Sequence, residues 1–264
     1  MAETVAVVGA GLTGLACAAA LAGGARPVVV DRIPVAGGVH GWDRPETRAA
    51  QAAAERAGAV LHLGETAIRW QAGELLVMGP QGVRRIAASA LVVAAGSRPL
   101  GRAELGLAGP RPAGILAATV ACHLSETGLL IGRRPAVVGG GDWAARAVGH
   151  LLEAGADEVA VVAPDGLLRP FPDSRRVHVQ TAAPMAVQGG PRVTALVTGA
   201  GVVACDALVL AHGLAALRNV DGAVWDGPRV IHAQPLDDPV TVEAARAAGR
   251  AAARAAGALL ERAA

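Results

Sequence analysis

The stretch from Val5 to Asp31 constrains this chain more than any other. Val5-Ala6-Val7-Val8 is a short β-branched run that meets Gly9-Ala10-Gly11-Leu12-Thr13-Gly14, the next seven residues read as helix, and Gly23-Gly24 stops it. Pro27-Val28-Val29-Val30 forms a second strand ending in Asp31, so one complete βαβ unit carries G-x-G-x-x-G and an acid 22 positions after Gly9. Each residue has a physical task. Gly9 allows the strand-to-helix turn, Gly11 lets a pyrophosphate approach the backbone, and Gly14 lets helix and strand pack. The helix N-terminus adds amide donors and a positive dipole end, and Asp31 accepts ribose hydroxyls. The bland alternative is a tight packing turn with no ligand; the strand-helix-strand context favours the nucleotide.

A second unit of the same kind starts 130 residues later. Ala136-Val137-Val138 leads into Gly139-Gly140-Gly141-Asp142-Trp143-Ala144, a helix follows to about Ala154, and Val159-Ala160-Val161-Val162 is the next strand. Gly139, Gly141 and Ala144 fit G-x-G-x-x-A. Asp142 and bulky Trp143 stand where an anionic pyrophosphate would pass, which leaves a retained fold with a lost site as the competing expectation. Ala163-Pro164-Asp165 follows the second strand without an arginine cluster to meet a 2′-phosphate, so NAD is expected over NADP.

Between and after these units the pattern is regular. Gly37-Gly38 follows the first unit, a helix spans 44–57, and short strands at 60–63, 66–70, 74–78 and 83–86 resemble a small meander. Leu91-Val92-Val93-Ala94-Ala95 is a buried strand ending at Gly96, and Ala207-Leu208-Val209-Leu210-Ala211 repeats it toward Gly213. Residues 99–114 read as a Pro/Gly-rich linker. Short strands are expected at 192–197 and 201–204, and Asp238-Pro239 marks the start of an Ala/Arg-rich helix running to the last residues.

Composition removes several chemistries. All 24 basic residues are arginine, and tyrosine is absent, so no lysine Schiff base, phosphate-loop lysine or Tyr-Lys relay is available. Net charge is +2, with charges interspersed and only 2% aromatic residues, so neither a nucleic-acid groove nor a membrane partner is expected. Cys17, Cys122 and Cys205 lie far apart with no C-x-x-C, which points to small buried hydrophobes rather than a disulfide, dithiol or metal site. No metal ligands are expected. Arg246, Arg250 and Arg254 interrupt the alanine-rich end, and the N-terminal apolar run is broken by glycines with no basic region ahead of it, so the expectation is a cytoplasmic protein without span or leader. Trp42 is equally a cofactor cover or an ordinary tryptophan, Trp143 reads as a crevice plug, and His40 as a loop histidine.

With two such units, a meander near each, and strands returning to Gly96 and Gly213, the chain resembles the two-dinucleotide-binding-domain flavoproteins, the pyridine-nucleotide-dependent FAD oxidoreductases that include thioredoxin-reductase-like enzymes. The resemblance covers nearly the whole chain. Its FAD positions correspond here to Gly9, Gly11, Gly14 and Asp31, with Gly37-Gly38 as the family's Gly-Gly turn and Ala94-Ala95-Gly96 as its Ala-Thr-Gly strand end without the threonine. Arg111-Pro112-Ala113-Gly114 and Gly132-Arg133-Arg134-Pro135-Ala136-Val137-Val138 are similar to the subgroup associated with multi-subunit amino-acid, opine or glycerol-phosphate dehydrogenases and cyanide-forming glycine oxidation. Two departures stand out. The catalytic C-x-x-C is missing, and Gln234-Pro235 occupies the place of the family's Gly-Asp pair near the flavin ribityl chain.

The resulting expectation is an α/β chain of two Rossmann-like domains of the three-layer ββα type, the second inserted in the first, with segments 1–104 and 209–264 forming the FAD domain and 105–208 the NAD-type domain. FAD is the expected cofactor, with NAD(H) the candidate second. Expected cofactor contacts are Gly9, Gly11, Leu12, Thr13, Gly14, Asp31, Arg32, Gly37, Gly38, Ala95, Gly96 and Asp238 in the first domain, and Gly139, Gly141 and Ala144 in the second. No catalytic acid or base is assigned. The expected partners are a small-molecule substrate or a redox partner subunit, in an oligomer of identical or different chains. The rival expectation is a non-catalytic scaffold subunit; a flavoprotein of natural-product oxidation would share the same site.

Overall fold

A computed structural model describes residues 3–21, 23–164, 166, 168–171, 174–225, 227–235 and 240–263. The chain begins with β1 (Thr4–Val8), α1 (Leu12–Ala20), β2 (Arg26–Asp31), α2 (Pro45–Arg56), β3 (Val60–Leu63), β4 (Thr66–Gln71), β5 (Glu74–Gly79), β6 (Gly82–Ala87) and β7 (Ala90–Val93). It continues through β8 (Ser97–Pro99), β9 (Ile115–Ala117), α3 (Ala118–Glu126), β10 (Pro135–Val138), α4 (Asp142–Glu153) and β11 (Val159–Ala163). Next come β12 (Val177–Thr181), β13 (Pro184–Gly189), β14 (Val193–Thr198), β15 (Gly201–Ala204) and β16 (Ala207–Leu210). β17 (Leu214–Ala216), β18 (Val230–His232) and α5 (Val242–Ala263) complete it. The chain forms two compact units: Met1–Ser97 with Ala216–Ala264, and Arg98–Ala215.

In the first unit a parallel sheet of order β18-β7-β1-β2-β3 lies between helices and the antiparallel meander β4-β5-β6. Side chains alternate along a strand, and here both faces are covered. Val5, Val7 and Val29 join Leu12, Leu15 and Cys17 of α1 and Ala252, Ala253 and Ala256 of α5. Ala6, Val8, Val28 and Val30 face Trp70, Leu75, Val77 and Ile86 of the meander. That double burial is why β1 and β2 read as unbroken apolar runs rather than alternating ones.

The second unit repeats the plan, with a parallel sheet β12-β11-β10-β16-β9 and the antiparallel meander β13-β14-β15. Val137, Val161 and Val209 pack against Ala121 of α3 and Ala147 and Leu151 of α4. Val138, Leu208 and Leu210 pack against Val187, Val193 and Leu196. Among the described residues no helix is long and apolar enough to cross a membrane.

Three local features differ from the sequence reading. The strand at 60–63 is not part of the meander: β3 pairs with β2 and extends the parallel sheet. Residues 99–114 are not a linker. Leu107 is buried in the second unit's core, the Ala108 N–H donates to the Met185 carbonyl at 2.9 Å, and the Arg102 side chain donates to the carbonyls of Leu107, Gly109 and Pro110. Helix α3 and strand β9 carry no local signal; Ala117 stands at the N-cap of α3 with no side-chain bond, so nothing in the sequence marks its start. The expected helix start at Asp238-Pro239 lies outside the described residues.

Candidate functional site

Where β1, β2 and β7 end, their outgoing turns enclose a cleft of about 840 Å3 including its open mouth. The first wall is the glycine turn. Gly9 has φ +111 and donates its N–H to the Val30 carbonyl at 2.8 Å; a Cβ there would stand 2.2 Å from the Ala94 carbonyl oxygen. Conformation and crowding both require glycine. Gly14 lies beneath the cleft as a packing residue, since a Cβ on it would stand 1.9 Å from the Gly9 oxygen.

Gly11 is a different case. Its backbone is ordinary extended chain, φ −73 and ψ 176, and a Cβ would meet nothing within 4 Å, yet it caps α1 and faces the cleft. No side chain caps α1, its first turn carries no acid, and the Leu15 N–H makes the first helical bond, to Gly11 at 3.0 Å. The N–H groups of Leu12, Thr13 and Gly14 are therefore donors that the helix does not itself pair, at its positive end. A small anion is what such an end accepts.

Asp31 closes the same wall. Its Oδ2 accepts the Ala10 N–H at 2.6 Å and its Oδ1 the Ile33 N–H at 2.8 Å, which fixes the carboxylate against the glycine turn. A carboxylate has further lone pairs, which face a cleft that Asp31 and the exposed Arg32 both line. The Gly37-Gly38 turn is stitched to the fingerprint by the Gly37 N–H, which donates to the Ala10 carbonyl at 2.8 Å. It leads into a short 3-10 turn, Gly38–His40, whose histidine Nε2 lies 3.2 Å from the Val240 carbonyl oxygen. Ala94, Ala95 and Gly96 form the opposite side, where the Leu217 N–H donates to Gly96 at 2.9 Å.

The sequence-predicted residues of the first unit are thus brought together, with Gly14 behind the wall and Asp238 outside the described residues. Missed were Leu217, Val240 and Ala245, which complete the lining from far along the chain beside Pro235. Only Gln234-Pro235 carried a signal. The Gln234 side-chain amide donates to the Leu217 carbonyl at 3.0 Å and so braces the segment behind the cleft. Trp42 is 64% exposed and is not among the lining residues. A smaller recess shares Gly9, Asp31 and Arg32 with the cleft and reaches Thr66, Ala67 and Asn219.

The second unit reproduces the turn but furnishes it differently. Gly139 has φ +130, its N–H donates to the Val162 carbonyl at 2.8 Å as Gly9 does to Val30, Gly141 caps α4, and Ala144 is buried in the core. Asp142, in the first turn of α4, pairs with Arg169 at 2.9 Å, and the Arg169 N–H donates to the Gly140 carbonyl at 2.8 Å. Trp143 packs on the core with the Arg146 guanidinium 4.8 Å from its ring centroid. The first turn of this helix therefore already holds a charge pair of its own.

Cys17, Cys122 and Cys205 are free and buried. Burial pushes the Cys17 thiol up to about 12 and those of Cys122 and Cys205 up to about 11, so none supplies a thiolate near neutral pH.

Two units, each a parallel sheet between helices and a meander, each opening on a glycine turn, define a two-dinucleotide-binding-domain architecture. It is the fold of the pyridine nucleotide-disulfide oxidoreductases and thioredoxin reductases. The chain is similar to a pyridine nucleotide-disulfide family oxidoreductase from Enterococcus faecalis V583, at 16% identity over 96% of this chain and 68% of that one, TM-score 0.72. Thioredoxin reductase of T. acidophilum matches at 18% identity over 97% of this chain and 98% of that one, TM-score 0.65. The water-forming NADH oxidase of Lactobacillus brevis bound to NADH matches at 13% identity over 96% and 69%, TM-score 0.62. No protein-family model and no curated protein matches the sequence.

Proposed function

We propose that this protein is an FAD-binding oxidoreductase, a flavoprotein subunit of a multi-subunit dehydrogenase or oxidase. The observation that carries the reading is the uncapped N-terminus of α1 behind Gly11, open to a cleft that also gathers Asp31, Gly37-Gly38 and Gly96. These residues fit the cofactor. Gly11 leaves room for a pyrophosphate, the Leu12, Thr13 and Gly14 amides provide its donors, the braced Asp31 carboxylate suits ribose hydroxyls, and the recess at Thr66 and Ala67 has room for the base. When bound, a flavin supplies hydride or electron transfer on its own ring, which suits a chain without lysine or tyrosine. The protein's part is to hold the group, exclude water with Leu217, Pro235 and Val240, and orient it.

Disulfide reduction is not part of the reading, because the three buried thiols neither pair nor ionise near neutral pH. At the second unit the first turn of α4 already carries the Asp142–Arg169 pair, unlike the acid-free first turn of α1; NAD(H) use therefore stands second to FAD binding. The same ion pair favours the rival reading, a scaffold subunit that keeps the fold after losing its second ligand. The test is the visible spectrum of the purified chain after adding FAD and removing excess. Bound-flavin bands that Gly11→Val abolishes are expected; no bands in the unaltered chain would overturn the reading and leave the scaffold. Anaerobic NADH added to the yellow protein then reports on the second unit.

A further inference from the structure

A second concavity of the first unit lies at the opposite end of its sheet. The cleft opens where β1, β7 and β18 finish; the groove, about 1070 Å3 including its mouth, opens where β18 begins, at Gly227, Pro228 and Arg229. Among the described residues it shares none with the cleft. One bank is the β4–β5 turn at Ala72-Gly73, where Ala72 is the one non-glycine among the described residues with positive φ, +51. The other bank is the loop ahead of β18, held to the meander by the Trp70 N–H donating to Asp221 at 2.7 Å and the Asp221 N–H donating to Ile68 at 2.8 Å.

What lines this groove is unusual for the chain. Only five residues of 264 are aromatic, and two of the four tryptophans are here: Trp70, 8% exposed in the floor, and Trp225, 73% exposed on the bank. Trp225 is not a loose side chain. The Arg218 guanidinium lies 4.8 Å from its ring centroid and is anchored by a bond to the Val224 carbonyl at 2.9 Å. Arg229 reaches over the turn, with Nη1 3.8 Å from where a Cβ on Gly73 would stand. Of the described acids nearby, Asp221 pairs with Arg69 at 2.7 Å and Glu74 with Arg85 at 2.9 Å, and neither Arg218 nor Arg229 has a carboxylate partner among the described residues. Exposed Trp beside unneutralised Arg is the composition of a binding hot spot rather than of ordinary surface.

We propose that this groove docks an acidic segment of a partner polypeptide, an apolar side chain seating against Trp225 and its flanking carboxylates meeting Arg229 and Arg218. Charge decides against the other occupants. Two copies meeting face to face through this groove would bring two sets of Arg218 and Arg229 into one interface, and the interspersed charge of the chain offers a nucleic-acid backbone no continuous basic track. The proposal does not depend on what the cleft binds.

The test uses the full chain and an acetylated, amidated peptide with one leucine flanked on each side by two glutamates, compared with its glutamine and lysine counterparts by calorimetry. The glutamate peptide should bind, more weakly as salt is raised, and Trp225→Ala and Arg229→Glu should each weaken it at least tenfold with unchanged thermal midpoints. Arg134→Glu, an exposed arginine of the other unit, should leave the affinity unaltered. No binding of the glutamate peptide, equal binding of the glutamine or lysine peptide, or equal loss in Arg134→Glu overturns the proposal. A dimer of the chain in sedimentation that Trp225→Ala dissolves would assign the groove to a second copy and overturn it as well.

Discussion

Gly9 and Gly11 sit two positions apart in one motif and are required for different reasons, which the structure separates. Gly9→Ala forces a Cβ to 2.2 Å from the Ala94 carbonyl oxygen at φ +111, and should cost about 1–3 kcal/mol in thermal or denaturant unfolding. Gly11→Ala meets open space in ordinary backbone and should change stability by less than about 0.5 kcal/mol. It should nevertheless lower flavin retention, because the added methyl occupies the approach to the α1 amides. If Gly11→Ala melts as early as Gly9→Ala, the motif is a packing device only. The cysteines give a second residue-scale outcome. Thiols raised to about 11 or 12 by burial stay protonated, so a thiol reagent such as Ellman's should label none of the three in the folded chain near pH 8 and all of them once it is unfolded.

Helix α5 shows how an element far away in sequence holds the site. It crosses α1 at Gly249, where a Cβ would stand 2.2 Å from the Thr13 carbonyl oxygen and 2.9 Å from the Cys17 nitrogen. The obstruction is helix backbone, which cannot swing aside as a flexible side chain can. Gly249→Val should therefore push α5 off α1 and destabilise by about 2–4 kcal/mol, with flavin affinity falling too because α1 carries the donors; normal melting and flavin content would refute this coupling. A smaller element-scale effect concerns the turn after β8. Bonds from Arg98 and then from the Gly101 N–H hold Glu104 down to about 2 from an ordinary 4.5. A depressed carboxyl contributes stability above its unfolded value and loses it as pH falls through the folded one. Glu104→Gln should thus melt slightly earlier than the unaltered chain near neutral pH, and the difference should vanish by about pH 2; the effect is small because the pair is exposed.

At the scale of the whole molecule the chain leaves its first unit at Ser97 and re-enters it at Ala216, and the Leu217 N–H donates to Gly96 at 2.9 Å. The two ends left by removing 98–215 are therefore neighbours, and each unit has its own cores. Replacing 98–215 by a short glycine-rich turn should give a first unit that unfolds in one cooperative step and still takes up FAD, measured by circular dichroism and absorbance. A product that stays unfolded would show that the first unit depends on the second.

The sequence by itself determined both parallel βαβ units, because a β-branched run, a glycine turn and a helix within thirty residues leave few ways to bury both faces of a strand. It also determined the glycine turn and Asp31, since their contacts are to residues of the same local unit: Gly9 to Val30, Asp31 to Ala10. Tertiary structure alone decided the rest of the cleft. Leu217, Val240 and Ala245 carry no motif and are lining residues only because α5 and the segment at 217 return to the sheet. The same holds for β3, which a short apolar run could not assign between meander and sheet, and for the Asp142–Arg169 pair, whose members stand 27 positions apart and meet only in the folded chain. Local spacing fixes what backbone geometry enforces within a few residues; charge pairing and cleft lining depend on which distant surfaces the packing of apolar faces brings together.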